Sequence, residues 1–279
     1  MRTRVLSAIV GITLLLGIIY AGGLYIQGFF IGLGLLALYE FYRMMAVASF
    51  SAVKIPGYLL LIVLMLSPLY PEQLLVVILL LLIPVICYAV FYYPKVNINS
   101  IALSFFGAFY IGFLLSFAIR MTDLRYSFWI ILLSFLLTWA SDIGGYFAGT
   151  IWGKHKMAPL LSPNKTWEGS IGGVILTLLV SFVFIYLFEF ASLGYAYALL
   201  LGITASVAAQ VGDLFMSSVK RTFGVKDTGN ILPGHGGVLD RFDSYLMVLP
   251  IVYYFYIYII KYHYIVYLWK SKDFTFLCF

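Results

Sequence analysis

The chain has 279 residues, of which 63% are hydrophobic and only 10% charged, with a mean hydropathy of +1.04. A soluble domain carries roughly 25% charged residues, so this composition excludes an ordinary soluble protein and points to a polytopic membrane protein. The formal net charge of +6 does not mark a nucleic-acid binder, because the Lys and Arg residues are split among short segments and form no continuous basic face.

A helix needs about 20 apolar residues to cross a hydrocarbon core of about 30 Å. Arg2 and Arg4 followed by the apolar run Val5 to Tyr20 have the shape of a signal peptide, with Ala21 to Gly23 as its small-residue end. The run leads at once into a second apolar segment, Leu24 to Tyr39, so a retained first span and a helical hairpin are expected. Further spans are expected at about Gly57 to Tyr70, Leu74 to Tyr92, Ser100 to Ile119, Ser127 to Thr150, Ser170 to Leu193, Tyr195 to Ser218 and Ser244 to Ile260. The third is short and holds Pro68, which leaves an interfacial or re-entrant segment as its alternative. The expected fold class is all-α: a polytopic integral membrane protein of about nine transmembrane helices. Residues 1–126 and 127–279 are read as two halves of one integrated membrane domain, the second carrying the chemistry.

Orientation follows from the cations. In a nine-span arrangement, one side holds Arg2, Arg4, Arg43, Lys54, Lys95, Lys154, Lys156, Lys165, Lys220, Arg221, Lys226 and Arg241. The other holds Arg120, Arg125, Lys261, Lys270 and Lys272, which favours a cytoplasmic N-terminus. Glu40 and Glu189, each at the end of a span, are expected to be solvated charges at headgroup level. Cys87 and Cys278 offer neither a metal spacing nor a disulfide framework. His155 is read as a loop residue and His263 as interfacial.

Chemistry concentrates in the stretch from Asp213 to Asp243. On a helix Asp213, Ser217 and Lys220 fall at i, i+4 and i+7, so a carboxylate, a hydroxyl and an ammonium share one face; Asp240 and Asp243 pair at i, i+3. Two acidic helix ends joined by a basic, glycine-rich loop suit a magnesium-bound polyphosphate, with hard oxygens for the ion and cations and backbone N–H groups for the phosphates. The bland reading is a cytoplasmic loop whose charges only obey topology. A second constellation begins at Trp139-x-Ser141-Asp142-x-Gly144-Gly145 and continues through Lys154, Lys156, Pro159, Ser162, Pro163, Lys165, Thr166 and Glu168. Gly144, Gly145 and Gly149 clear one helix face for close approach of a backbone or a ligand. Ser162 and Thr166 have a plain alternative as turn and N-cap residues ahead of the following helix.

The order Ser217-x-x-Lys220-Arg221, Lys226-Asp227, Pro233-x-His235-Gly236-Gly237, Asp240-Arg241-x-Asp243 resembles the signature of the phosphatidate cytidylyltransferases, also called CDP-diacylglycerol synthases. The second constellation is similar to the same family, and the likeness covers the C-terminal half. It implies transfer of the cytidylyl group of CTP to phosphatidate, with release of pyrophosphate, for phospholipid synthesis. On this resemblance Asp213 and Asp240, with Asp142, would hold Mg2+ and leave room for a second cation. Asp243, Lys226 and His235 would join Asp213 and Asp240 in catalysis. Lys154, Lys165, Ser217, Lys220, Arg221, Gly236, Gly237 and Arg241 would bind the substrates. The setting implied is a bacterial inner membrane with the active site facing the cytoplasm, among membrane lipids and with no nucleic-acid partner. A homodimer is one oligomeric state open to such a chain. Two other readings use the same ingredients: a CTP-dependent membrane lipid kinase of the polyprenol or phytol type, and a transporter with intramembrane aspartates.

Overall fold

The structure is a computed structural model and describes residues 2–187, 195–231 and 236–260. Its helices are α1 (Arg2–Ala21), α2 (Gly23–Val47), α3 (Lys54–Leu66), α4 (Leu74–Phe91), α5 (Ile98–Thr122), α6 (Ser127–Trp152), α7 (Trp167–Leu187), α8 (Tyr195–Thr222) and α9 (Leu239–Phe255). Among the described residues, six stretches are long and apolar enough to cross a membrane: α2, α5, α6, α7, α8, and α9 with its continuation to Ile259. The described apolar parts of α1 and α4, and all of α3, are shorter. The 13 residues of α3 rise only about 20 Å at 1.5 Å each, less than the hydrocarbon thickness. The helix ends before Pro68, as the fixed φ and missing donor of proline require.

Two helix boundaries matter for the site. The second apolar segment does not stop at Tyr39; α2 runs on to Val47 and carries Glu40 inside the helix. α9 begins at Leu239, ahead of the expected Ser244, so Asp240 and Asp243 lie in its first turns. Among the described residues, one paired-strand feature breaks the helical pattern, and apolar periodicity did not announce it. Strands β1 (Lys156–Ala158) and β2 (Ser162–Thr166) form a small antiparallel hairpin between α6 and α7.

Polar contacts fix which helix ends share a side. Gln27 near the start of α2 donates to Thr122 at the end of α5 at 3.0 Å, and Tyr42 near the end of α2 donates to the Ser104 carbonyl at 3.1 Å. α2 and α5 are therefore antiparallel. Tyr256 after α9 donates to the Arg125 carbonyl at 2.9 Å, so the far end of α9 meets the start of α6. The end of α6, the start of α7, the end of α8 and the start of α9 consequently gather at one end of the bundle.

The core runs through both halves of the chain. Tyr245 of α9 is fully buried, stacks on Phe135 of α6 at 4.1 Å, lies parallel to Phe30 of α2 and accepts from the Ser134 hydroxyl at 3.1 Å. α6 and α7 meet through small residues. A Cβ on Gly144 would lie 2.4 Å from the Gly172 carbonyl oxygen, and one on Gly172 would lie 2.2 Å from the Ala148 Cβ. The glycines after Asp142 thus admit a neighbouring backbone, the helix-association device of membrane proteins.

Candidate active site

Two segments frame the site. After α6 the chain turns through the β1–β2 hairpin, and Thr166 caps α7 by accepting from the Gly169 amide at 3.1 Å. Glu168 reaches back to the amides of Lys154 and His155 at 3.1 and 3.2 Å and to the His155 ring at 2.6 Å. Glu168 therefore orders this loop through its backbone and through His155. The second segment follows α8, which closes in a Schellman motif: Val225 N–H bonds the Lys220 carbonyl, Gly224 N–H bonds the Arg221 carbonyl, and Gly224 has φ of 70°. That reversal throws Lys226 and Asp227 into the loop leading to α9. The Arg221 guanidinium ties the two segments together by donating to the Leu161 carbonyl at 3.3 Å and the Val225 carbonyl at 3.2 Å.

Between these segments four aspartates meet two lysines. Lys165 of β2 forms an ion pair with Asp213 of α8. Burial alone would lower the Lys165 pKa, but the Asp213 carboxylate, with Asp142 and Asp243 beyond it, holds the pKa above the usual lysine value. Lys165 is thus a fixed cation facing three carboxylates. Asp142 of α6 is exposed, while Asp243 is buried and accepts from the Ser244 amide at 2.7 Å. Arg241 lies exposed on α9, within electrostatic reach of Asp142. Ser217, one turn after Asp213, is buried, with its hydroxyl 3.4 Å from the Asp213 carboxylate.

The second pair is Lys220 with Asp240 at 2.7 Å, both side chains close to 90% covered. The other oxygen of Asp240 accepts from Thr228 N–H at 2.8 Å, Thr228 Oγ1 at 3.0 Å and Gly237 N–H at 3.2 Å. Asp243 lies within electrostatic reach of both Asp213 and Lys220, so the two ion pairs belong to one charged cluster. Gly236 takes φ of 82°, a left-handed conformation natural to glycine. A Cβ on Gly237 would lie 2.0 Å from Thr228 Oγ1, so no larger residue fits there.

Two expected substrate cations, Lys154 and Arg221, and the expected catalytic Lys226 stand elsewhere around the cluster. Lys154 is exposed, and its backbone amide donates to Glu168 at 3.1 Å. Lys226 lines a cleft of about 290 Å³ together with Arg43, Asp227, Thr228 and Asn230, on the α2 side of the loop. Arg221 is engaged with carbonyls as described. His235 and Pro233 lie outside the described residues, as do Glu189, His263 and Cys278.

Glu40 corrects the sequence reading most sharply. Expected as a solvated headgroup-level charge, it is fully buried and accepts from Thr228 Oγ1 at 3.0 Å, Val238 N–H at 2.9 Å and Leu239 N–H at 2.8 Å. A carboxylate within an otherwise apolar helix was the available signal, since such groups are costly unless partnered. Thr228 and Gln210 were likewise missed. Gln210 of α8 bonds the Ser170 hydroxyl of α7 and, at 3.0 Å, Ser206, which lies 3.0 Å from Ser141 of α6.

A profile of the cytidylyltransferase family matches residues 2–259. The chain belongs to the cytidylyltransferase family. It is 39% identical over 258 residues to the phosphatidate cytidylyltransferase of Staphylococcus haemolyticus, covering 90% of this chain and 97% of that protein. The phosphatidate cytidylyltransferase of Staphylococcus epidermidis matches to the same extent, and that of Staphylococcus aureus is 38% identical over 260 residues, with the same coverage. Family membership makes the chain a nucleotidyltransferase, and the match extends through the N-terminal half, beyond the C-terminal half that carries the motifs.

Proposed function

We propose that this chain is a phosphatidate cytidylyltransferase: CTP and phosphatidate give CDP-diacylglycerol and pyrophosphate. The observation that carries the reading is the joining of Lys165–Asp213 and Lys220–Asp240 in one charged cluster, built from α6, β2, α8 and α9, in a chain matching nearly the full length of relatives with that name. A phosphate oxygen of phosphatidate attacks the α-phosphorus of CTP in line, a new P–O bond forms, and the bond to the β-phosphate breaks as pyrophosphate leaves. Both reactants are anions, so the protein contributes position and charge neutralisation.

Lys165, Lys220 and Arg241 supply the cations nearest the carboxylates, and Lys154, Arg221 and Lys226 stand around them at the loop surface. Among the described residues no three His, Cys, Asp or Glu side chains sit together tightly enough to hold a metal unaided. The donor set nonetheless fits Mg2+. Asp213 and Asp240 are hard oxygen donors, each already matched by an ammonium group standing where a cation belongs, and Mg2+ keeps several of its waters. Asp213, Asp240 and Asp142 would hold the ion, with water completing its shell, and Asp243 lies beside them. When bound, the ion would neutralise charge on the triphosphate.

Nine spans, with a cytoplasmic N-terminus and the site on the cytoplasmic side of a bacterial inner membrane, fit this reading. The cation asymmetry and the alternation of helices support it, with α3 as a short member packed against α5. CTP would arrive from the cytoplasm, and acyl chains would enter between helices. Purified protein incubated with CTP and phosphatidate tests the reading: CDP-diacylglycerol and pyrophosphate are expected, and CDP with a phosphorylated lipid would overturn it in favour of a kinase.

A further inference from the structure

We propose that Glu40 is a positioning residue for cytidylyl transfer, acting from the N-terminal half by holding Thr228, in the loop that carries Lys226, and the start of α9, which carries Asp240. Thr228 and Gly229 on one side, and Gly237 to Leu239 on the other, close around the Glu40 carboxylate. Three donors point at it: the Thr228 hydroxyl and the amides of Val238 and Leu239. The two amides are among the first N–H groups of α9, which no residue of that helix can satisfy and which Val238 does not cap with its side chain. A carboxylate is acceptor-only and carries the charge favoured at a helix N-terminus.

The fit is tight on every side. A Cβ on Gly229 would lie 2.6 Å from Glu40 Oε1, and one on Gly237 would lie 2.6 Å from Oε2. Glu40 thus leaves no room for a side chain at Gly229 and, together with the Thr228 hydroxyl, none at Gly237. The link to the charged cluster is the Thr228 hydroxyl, 3.0 Å from Glu40 Oε2 and 3.0 Å from Asp240 Oδ2. A hydroxyl has one proton to give, so the two carboxylates compete for it. When Asp240 turns to substrate or to a cation, Glu40 takes the hydroxyl, and Thr228 stays in place. Glu40 itself touches no substrate; it acts through Thr228, the start of α9 and Asp240.

The test rests on the reaction proposed above and uses the full-length protein in detergent. Wild type must first convert CTP and phosphatidate to CDP-diacylglycerol; its failure there overturns the reaction and leaves the role of Glu40 a separate matter of stability. Glu40→Gln places an amide NH2 against N–H or O–H donors whichever way it is turned, and Thr228→Val removes the shared hydroxyl. Each is expected to raise KM for CTP or lower kcat/KM by about tenfold or more, the scale of one lost charged hydrogen bond. The double variant should lose less than the product of the two, because both break one link. The exposed, distant Glu72→Gln is the control and should match wild type. A purely structural Glu40 would lower the melting temperature and the yield of folded enzyme, with KM for CTP unchanged in the molecules that remain folded. That pattern, or unaltered kinetics in both single variants, overturns the proposal. If Glu40→Gln fails to fold, Thr228→Val alone decides: a shifted KM for CTP supports the link, and a wild-type value rejects it.

Discussion

Lys165 and Asp213 come from segments nearly fifty positions apart, and their ion pair shows how the acidic cluster remains tolerable beside a membrane. Asp142 and Asp243 face the same ammonium, so its removal leaves carboxylate charge uncompensated. Lys165→Met should therefore lower the melting temperature more than Asp213→Asn does, because the second change removes a carboxylate and relieves repulsion. For activity the order reverses in cause: Asp213→Asn keeps size and loses the charge proposed to hold the ion, and kcat should fall about 10²–10³-fold, as when one electrostatic stabiliser is deleted. Normal turnover in purified Asp213→Asn, with CTP and phosphatidate saturating, would remove Asp213 from the site. At this scale the motif residues were legible because helical spacing puts Asp213, Ser217 and Lys220 on one face. Thr228 and Glu40 were not, since their roles come from a loop closing on a distant helix. Neither partner marks the other in sequence.

Helix contacts divide along the same line. The glycines after Asp142 announced a close approach, and α7 supplies the backbone that makes it. The neighbours Gly144 and Gly145 offer an internal comparison. A Cβ on Gly144 would meet the Gly172 carbonyl oxygen at 2.4 Å, whereas one on Gly145 meets only the Gly169 carbonyl oxygen at 3.6 Å, an ordinary contact. Gly144→Ala should destabilise by about 1–3 kcal/mol through overpacking. Gly145→Ala should leave the melting temperature unchanged or raise it, since alanine is the better helix former. Thermal unfolding of the two purified variants checks this, and equal losses would contradict the packing described. The β1–β2 hairpin was not legible, because prolines and polar residues between Lys156 and Thr166 announce a broken helix without saying what replaces it. The apolar run alone placed the start of the last span at Ser244, whereas the helical i, i+3 pairing of Asp240 and Asp243 belongs to α9, whose first N–H groups Glu40 satisfies.

For the whole molecule, composition settled the class, and counting apolar runs located the helices but not how many of them cross. Helix length alone separates α3 from the six long helices, and its packing against α5 depends on Gly112, where a Cβ would lie 3.0 Å from the Leu61 carbonyl oxygen. A cysteine-accessibility experiment tests the arrangement. In a background without Cys87 and Cys278, Asn164→Cys should be labelled only from the cytoplasmic side, and Asp123→Cys only from the other. Labelling of both from one side would contradict the alternation of helices. The account's central claim is that the cluster of Asp142, Asp213, Asp240 and Asp243 with Lys165 and Lys220 transfers a cytidylyl group to phosphatidate. Its most direct test follows phosphorus from labelled CTP in the presence of phosphatidate and purified protein. Label in the α position should enter the lipid product and γ label should leave as pyrophosphate; γ label in the lipid, with α label left in CDP, would contradict it.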